Sequence, residues 1–273
     1  GHFQIFLIRM SKIKVLIIGK NSNLSKHFQY FMKNKPEINL VSIGREEGFD
    51  HKNNKKFKNF ILNFKPDFIL NFYGLTNHNQ CERLPDLANE INAIFPYKIC
   101  QLCKKIETTF VHFSTEAIHD GRINKLHKVE DLPKPRTVLG KTKLNGEKLI
   151  FNFSNSIIFR LPMLYGEFFK SGFVFNSLVK IKKKKYFYLC DDIYCSPINA
   201  KKVVDYVYKK LILVRAKKSF LKRKIIQISN NKRFSRYSFI KMICNSIYLK
   251  KDKFKNLKLK SMPDQFMGLK KNY

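Results

Sequence analysis

Short apolar runs alternate with amphipathic segments through the first 160 residues of the chain. The apolar runs have the length of strands, and such runs are typical of strands that are buried on both faces of a parallel sheet. The segments between them have the length and apolar spacing of helices packed on that sheet. The sequence therefore predicts an α/β fold built on a doubly wound parallel sheet.

The alternation places individual elements along the chain. Five strands are predicted, at Ile13–Ile18, Asn39–Ile43, Phe68–Phe72, Thr109–Phe113 and Ser156–Arg160. Helices are predicted at Lys26–Lys33, Phe57–Phe64 and Leu87–Ile106, and a further one carries Lys143 and ends near Phe151. After Leu161 the alternation loosens, and the predicted elements are helices near Val174–Lys183, Ala200–Leu213 and Tyr237–Tyr248 and a strand at Lys224–Ile228.

A chain of 273 residues that is organised in this way fits one large α/β unit with a smaller companion. We predict an N-terminal extension over residues 1–12 and a Rossmann-type, dinucleotide-binding-like domain over 13–160. A smaller α/β substrate-binding domain is predicted over 161–273, interleaved with the first. Met10 resembles a natural start, which leaves open whether residues 1–9 are native.

The chain is strongly basic, with 54 Lys and Arg against 20 Asp and Glu and a formal net charge of +34. Lysines occur in nearly every segment and are dense only at Lys182–Lys185 and from Lys201 to Lys224. Such a charge fits a solvated surface, attraction to an anionic ligand such as a nucleotide sugar, or nucleic-acid binding. No nucleic-acid-binding motif accompanies it, so nucleic acid is not predicted as the partner.

The cysteines and the apolar runs indicate the cellular compartment in which the protein is expected. Cys100 and Cys103 form a CxxC inside a predicted helix, and no second CxxC or His pair completes a zinc set. No apolar run reaches the roughly 18 residues that a membrane helix needs. These features predict a cytoplasmic protein with reduced, mostly buried thiols and no metal or membrane partner, and they leave a homodimer open.

The turn after the first predicted strand resembles a dinucleotide-binding turn. Such a turn has glycines at its first, fourth and seventh places, for a tight turn and for close approach to the pyrophosphate. Here only Gly19 is glycine, and Ser22 and Ser25 take the other two places. A serine hydroxyl can donate to phosphate, whereas the alternative is an ordinary strand-to-helix turn. Arg45, after the second strand, suits a 2′-phosphate and so favours NADP over NAD, although a surface arginine is equally common there.

The segment from Phe110 to Ile150 carries the most specific chemistry. The predicted strand ends in Ser114 and Thr115, and the helix that follows carries Lys143. A carbonyl reductase can place a tyrosine four residues before such a lysine, because residues i and i+4 share a helix face. The tyrosine then donates the proton and the lysine lowers its pKa. In this chain that position is Leu139, which has no proton to give.

The end of the Phe68–Phe72 strand is unusually bulky for a cofactor wall. In reductases of this kind the stretch after Asn71 consists of small residues, whereas Phe72 and Tyr73 stand there in this chain. Their rings would intrude on the cofactor space unless they point into the core. Tyr73 is also a candidate for a substitute phenol.

Taken together, these motifs resemble the dTDP-4-dehydrorhamnose reductase family of extended short-chain dehydrogenases, over nearly the whole chain from Ile13. The landmarks in the first half are Lys14–Gly19, Lys65–Asp67, Asn71, Thr76, Glu82, Ile91–Ala93, Pro96, His112–Thr115, Asp120–Gly121, Gly140–Leu144 and Gly146–Glu147. Those in the second half are Arg160–Pro162, Tyr165–Gly166, Asp191–Pro197, Ser235 and Tyr237–Phe239. Each fragment alone is weak, but their order and spacing together are specific.

The resemblance implies NADPH-dependent reduction of the 4-keto group of a dTDP-deoxyhexose for surface polysaccharide. Thr115 would then hydrogen-bond the substrate oxygen and Lys143 would hold the nicotinamide ribose, with Leu139 at the acid position. The predicted cofactor-binding residues are Gly19, Asn21, Ser22, Asn23, Leu24, Arg45, Asn71 and Lys143. The predicted substrate-binding residues are Ser114, Thr115, Glu116, Arg160 and Ser196.

Two functions are compatible with this set of residues. One is a sugar-nucleotide reductase whose site is divergent or impaired. The other is a non-catalytic relative, a pseudoenzyme, that binds a nucleotide sugar or a partner protein. The regulatory β subunit of methionine adenosyltransferase resembles the same family, so a regulatory role is compatible with this fold. A basic nucleic-acid binder is the third and weakest hypothesis.

Overall fold

The computed structural model describes residues 12–52, 54–183, 186–216, 224–248 and 258–262. The predicted N-terminal extension falls almost wholly on residues 1–11, which lie outside the described residues. Residues 184–185 and 217–223, in the two lysine-dense stretches, lie outside them as well. None of the described helices is long and apolar enough to cross a membrane.

The described residues up to 161 form five strands and the helices that connect them. The strands are β1 (Ile13–Ile18), β2 (Ile38–Ile43), β3 (Phe68–Asn71), β4 (Thr109–Thr115) and β5 (Ser156–Leu161). The helices are α1 (Asn23–Met32), α2 (Asn54–Phe64), α3 (His78–Arg83), α4 (Pro85–Asn89), α5 (Phe95–Lys105) and α6 (Val138–Phe151). One-turn 3₁₀ helices follow β2 at Arg45–Glu47 and β4 at Glu116–Ile118.

The described residues after 161 form shorter strands and three longer helices. The strands are β6 (Leu164–Tyr165), β7 (Tyr186–Cys190), β8 (Tyr194–Cys195), β9 (Ile198–Asn199), β10 (Lys224–Gln227), β11 (Phe234–Ser235) and β12 (Lys258–Met262). The helices are α7 (Phe173–Lys183), α8 (Ala200–Ala216) and α9 (Arg236–Tyr248).

Six strands form one central sheet, in the order β10-β5-β4-β3-β1-β2, and every pair in it is parallel. The predicted doubly wound α/β fold is confirmed. The order in which the chain adds strands reverses between β1 and β3, which are neighbours in the sheet. A crevice therefore opens there, beyond the carboxyl ends of these strands. The strand β10 comes from the second half of the chain and extends the sheet beside β5.

The two faces of the sheet are covered by separate apolar cores. On one face the strands pack against α1 and α8, whose Phe28, Val203 and Val207 are buried. On the other they pack against α2, α5 and α6, whose Ile61 and Ile150 are buried among others. Burial on both faces explains why the strand sequences are apolar runs rather than alternating ones. A third, smaller core joins α7, β7 and α9.

The predicted helix Leu87–Ile106 is interrupted in the structure. A π-helical turn at Glu90–Ile94 separates α4 from α5. Pro96, in the first turn of α5, has no N–H to donate back to the preceding turn, which favours the irregular geometry. The turn places Asn92 in the interior, where its side chain pairs with both the N–H and the carbonyl of Leu75 at 2.9 Å and donates to Thr142 Oγ1 at 3.1 Å.

Two glycines let the backbone of α6 contact the backbone of neighbouring segments directly. A Cβ atom on Gly140 would lie 2.2 Å from the carbonyl oxygen of Ala117, just after β4. A Cβ atom on Gly146 would lie 2.4 Å from the carbonyl oxygen of Asn92 in the π-helical turn. Any larger residue would push α6 away from the end of β4.

We expect Gly140→Ala to destabilise the protein. In an open helix this change would stabilise by about 1 kcal/mol through helix propensity. Here the added methyl group must displace the Ala117 backbone, so we expect a net loss of about 1–3 kcal/mol in the free energy of unfolding. Urea denaturation measures it. The matched control is Lys141→Ala on the exposed side of the same helix, which should change stability by no more than about 0.5 kcal/mol. A gain in stability for Gly140→Ala would contradict the close approach.

Candidate active site

The turn after β1 is built for close approach to the end of β3. Gly19 has a positive φ of 84°, and a Cβ atom there would lie 2.6 Å from the backbone nitrogen of Tyr73. Only glycine fits this position. Ser22 caps α1, because its hydroxyl accepts from the N–H of Ser25 at 3.2 Å. Ser25 itself is fully buried and accepts from the Gln29 side chain, so it serves packing.

Two side chains of this turn are bound to acidic residues after β2. The Lys20 ammonium pairs with Glu46 at 2.6 Å and also contacts Glu47. The Asn21 side chain donates to Glu46 at 3.4 Å. Hydrogen bonding to Lys20 lowers the pKa of both glutamates, and hydrogen bonding to Glu46 and Glu47 raises the pKa of Lys20. The sequence does not predict this contact, although Glu46 and Glu47 directly follow Arg45.

The remaining predicted cofactor residues lie around the same turn. Asn23 bonds the segment before α7, donating to Ser171 Oγ at 2.9 Å and accepting from the Lys170 N–H at 3.2 Å. Leu24 is buried and packs in the core beneath α1. Arg45 is exposed at the start of the 3₁₀ helix after β2. The groups around this turn that can bind an anion are therefore the backbone N–H groups at the start of α1 and the exposed guanidinium of Arg45.

Phe72 and Tyr73 point into the two cores. Phe72 stacks on Phe113 with ring centroids 4.5 Å apart. Tyr73 packs edge-on against Phe49 at 5.2 Å on the opposite face of the sheet. The wall opposite Gly19 is therefore formed by the backbone between the two rings. The Tyr73 hydroxyl is hydrogen-bonded to Nδ1 of His51 at 2.8 Å, which places it on the α2 side of the sheet.

Asn71 ends β3 as a buried polar residue. It is 1% exposed, and its side chain accepts from the N–H of Tyr73 at 3.2 Å. Its amide nitrogen lies 3.4 Å from Nδ1 of His112, a fully buried histidine of β4. Burial, and then the charge of Lys143, lower the pKa of His112 well below its usual value. Asn71 thus shapes the end of β3 from inside the sheet.

Lys143 is a buried amine at the end of β4. Its side chain is 6% exposed, and Nζ donates to the carbonyl oxygen of Phe113 at 3.0 Å. A Cβ atom on Gly74 would lie 3.2 Å from Nζ, so the glycine leaves room for the amine. Burial lowers the pKa of Lys143 to about 8, against the opposing effects of Glu147 and Cys81. This amine therefore exchanges a proton near neutral pH.

The position predicted for a proton-donating residue is occupied by the apolar side chain of Leu139. Leu139 lies one helical turn before Lys143 and is 6% exposed, in a small cluster with Cys81 and Ala88. The two strand-end hydroxyls belong to Ser114 and Thr115 of β4. Thr115 is half-buried and accepts from the N–H of Ala117 at 3.1 Å, and the buried hydroxyl of Ser114 has no hydrogen-bond partner in the described structure.

Two of the predicted substrate residues lie where β4 meets the second half of the chain. The Glu116 carboxylate accepts from the N–H of Met163 at 3.0 Å, and burial raises its pKa. Ser196 is 1% exposed, and its hydroxyl donates to the carbonyl of Asn230 at 2.7 Å. Glu116 also accepts from the backbone of Ser196, so the two residues hold this junction together.

Arg160 is engaged inside the protein. Its guanidinium contacts Glu147 of α6 at 2.8 Å, and both side chains are at most 5% exposed. A second nitrogen donates to the carbonyl of Val129 at 3.3 Å. The arginine therefore links α6 to β5. Among the described residues, its partners are the carboxylate of Glu147 and the carbonyl of Val129.

A buried histidine, His119, and a half-buried one, His127, stack near this pair. His119 and His127 are parallel to within 3°, with ring centroids 4.2 Å apart. Neither ring nitrogen of His119 has a partner at good hydrogen-bond geometry in the described structure, and the side chain that interacts with the ring is that of Gln227. Burial, and then the neighbouring His127, lower the pKa of His119 to about 4. His119 is therefore neutral at physiological pH.

The neutral state of His119 predicts acid sensitivity. An unfolded histidine has a pKa of about 6.5, whereas His119 in the folded protein has a pKa of about 4. Between these values the unfolded chain binds a proton that the folded chain does not, so stability falls as the pH falls through this window. In His119→Gln the slope of unfolding free energy against pH should flatten by up to about 1.4 kcal/mol per pH unit.

Urea unfolding of both proteins at a series of pH values measures this slope. Above a pH of about 7.5 the two curves should run parallel, because the histidine is neutral in both states there. Equal slopes in the acid window would show that His119 is protonated in the folded protein.

The fold and the site together define a class. A parallel sheet with a glycine turn at its switch point is a feature of Rossmann-type folds. Residues 13–267 match the family model described as the RmlD substrate binding domain. The chain belongs to this family.

Individual relatives support this assignment. The chain is 31% identical over 147 residues to the spore coat polysaccharide biosynthesis protein SpsK of Bacillus subtilis, which is 54% of this chain and 52% of that protein. It is 26% identical over 197 residues to dTDP-4-dehydrorhamnose reductase of Salmonella typhimurium, which is 71% of this chain and 65% of that protein. The match thus spans about half the length of the former and less than two thirds of the latter.

The fold is shared with solved structures. The dTDP-4-dehydrorhamnose reductase of Bacillus anthracis, solved in complex with NADP, superposes with a TM-score of 0.82. The superposition covers 94% of this chain and 86% of that one at 21% sequence identity. At this identity the similarity establishes the Rossmann-type architecture.

Proposed function

We propose that the protein is an NADPH-dependent sugar-nucleotide reductase of surface polysaccharide biosynthesis, of the dTDP-4-dehydrorhamnose reductase type, with an impaired acid position. The observation that carries this proposal is the buried Lys143 amine at the end of β4, with Thr115 at the strand terminus. A structural role does not need a lysine whose charge is opposed by its own burial. The family and its polysaccharide-related members support the substrate class.

The residues of the first turn suit a dinucleotide. Gly19 permits close approach of a diphosphate, the N-terminus of α1 offers its N–H groups, and the exposed Arg45, which also hydrogen-bonds Tyr73, would meet a 2′-phosphate. Lys143 would hold the nicotinamide ribose beside Gly74. The cofactor, when bound, supplies the hydride that reduces the carbonyl carbon.

The side chains of the protein would orient the ketone and deliver a proton to its oxygen. Thr115 would donate a hydrogen bond to the ketone oxygen, because its hydroxyl accepts from Ala117 and keeps its own proton. Leu139 cannot protonate the alkoxide that forms. That proton would come from water held by Lys143 or through Thr115. The loss of a positioned general acid costs about 10²–10⁴-fold in rate, so we expect a slow reductase.

Restoring a hydroxyl at position 139 tests the impairment. We expect Leu139→Tyr to raise NADPH oxidation with dTDP-4-dehydro-6-deoxy-L-mannose, by up to about 10²–10⁴-fold. Leu139→Phe is the matched control, since it adds the same ring without the proton. Absorbance of NADPH measures the rate. Equal rates for the tyrosine and phenylalanine variants would mean that the missing hydroxyl is not what limits the reaction.

Cofactor binding tests the proposal itself. We expect NADPH to bind in the micromolar range and NADH more weakly, as measured by fluorescence or calorimetry. In Arg45→Ala the affinity for NADPH should fall by about tenfold while that for NADH stays unchanged. Arg83→Ala, at an exposed arginine of α3, is the control. Millimolar or undetectable binding of both cofactors would contradict a reductase.

The second candidate function is a non-catalytic binding protein. Leu139 favours it, as do the Lys20 and Asn21 side chains that are bound to glutamates rather than left for a ligand. In that case the chain would bind a nucleotide sugar or a partner protein, and Leu139→Tyr would leave it inactive.

A further inference from the structure

A groove with a volume of about 180 Å³ opens between α2 and α5, on the face of the sheet that these two helices cover. Three apolar side chains at its floor are at most 9% exposed, and three lysines at its rim are exposed. The floor is formed by Phe57, Ile99 and Leu102, and the rim carries Lys58, Lys98 and Lys105. The groove thus combines an apolar floor with a basic rim.

The positive charge of this rim is not compensated by the helices that carry it. Neither α2 nor α5 contains an acidic residue. In the described part of the chain, none of the three ammonium groups pairs with a carboxylate. Like charges around one concave surface attract an anionic partner. The net charge of +34 also opposes association with a second copy of the chain, so the occupant that fits is acidic.

The volume of the groove limits what its floor can hold. A cavity of roughly 150 Å³ holds one benzene ring, whereas pockets for whole small-molecule ligands have volumes of about 300–1,000 Å³. At about 180 Å³ the groove accommodates a group the size of one large apolar side chain. Such a group is the anchor of a peptide segment rather than a complete small molecule.

The positions of the lysines also suit a peptide segment. Lys98 and Lys105 are seven residues apart, so they project from the same side of α5 about 10 Å from each other. Lys58 lines the groove from α2. An extended peptide covers about 10 Å in three residues, so acidic residues on both sides of one anchor would meet both ends of the rim. A lipid surface fits less well, because interfacial binding uses apolar side chains that protrude, whereas the floor of this groove is recessed.

We propose that the groove between α2 and α5 binds an acidic peptide segment of a partner protein. One aliphatic or aromatic side chain of that segment fills the groove, and acidic residues on both sides of it pair with the lysines of the rim. Burial of the anchor provides affinity, and the charges speed association and fix the orientation.

This docking site goes beyond the proposed function and is separate from the candidate active site. The helix α5 ends at Lys105, shortly before β4 begins, so the groove leads toward the amino end of that strand. Thr115 and the Lys143 amine lie at its carboxyl end. A partner in the groove would therefore leave the candidate active site open.

Fluorescence anisotropy with the whole 273-residue chain tests this site. The probe is a fluorescein-labelled peptide with one leucine between two pairs of glutamates. We expect it to bind at low salt with a dissociation constant below about 1 mM. A peptide with serine in place of the leucine should bind about tenfold more weakly, because it buries no apolar anchor.

Charge reversal at the rim tests the other half of the recognition. Lys98→Glu should weaken binding of the leucine peptide by about tenfold, because it removes an attraction and adds a repulsion. Lys58→Glu, on the other wall, should have a similar effect. The matched control is Lys202→Glu in α8, on the opposite face of the sheet, which should stay within about twofold of the wild type. Lys98 and Lys202 are both exposed near the start of a helix, where a glutamate favours the helix dipole.

Four results would overturn the proposal. One is the absence of binding of the leucine peptide up to about 1 mM. Another is equal binding of the leucine and serine peptides, because the rim would then recognise charge alone, as it would in a nucleic acid. A third is an equal loss in Lys98→Glu and Lys202→Glu. The fourth is binding to phosphatidylglycerol vesicles that Lys98→Glu abolishes while the leucine preference is absent, which would assign the groove to a membrane surface.

The reductase proposal is tested independently of this groove. Lys98→Glu should oxidise NADPH at the wild-type rate, because the residue lies outside the candidate active site. Peptide binding that depends on Lys98 in a protein that fails to bind NADPH would support the docking site and contradict the reductase.

Discussion

The site depends on how closely α6 approaches the sheet. Gly140 and Gly146 let the helix backbone meet the carbonyl oxygens of Ala117 and Asn92 at distances that no Cβ atom permits. This contact brings Lys143 to the end of β4, where its amine meets the carbonyl of Phe113. The buried ion pair between Arg160 and Glu147 fastens the same helix to β5. A buried pair of this kind fixes a position more than it adds stability.

The same burial that positions Lys143 also sets its chemistry. The amine is withdrawn from water, and none of the described carboxylates lies within ion-pair distance of it. Its pKa therefore falls to about 8. In a site with a tyrosine one turn earlier, such an amine would favour loss of the phenolic proton. With Leu139 there, the charge remains but the group that it would act on is absent. The described structure thus has a buried amine at Lys143 and an apolar side chain one helical turn earlier, at Leu139.

The second half of the chain meets the end of β4 through Glu116, which accepts from the backbone of Met163 and of Ser196. The charges of Arg233 and Arg236 also act on this carboxylate.

The sequence by itself determined the parallel sheet, most element positions and the pairing of Leu139 with Lys143 on one helix face. These follow from spacing within single elements, which the chain encodes locally. The family also followed from the order of short motifs, without any contact being known.

Only the tertiary structure decided the directions of Phe72 and Tyr73, which enter opposite cores, and the partner of Arg160, which is Glu147. It also revealed the acidic partners of Lys20 and the two arginines near Glu116. Each of these joins segments that are distant along the chain. Their contacts depend on how elements pack, and local spacing carries no information about that.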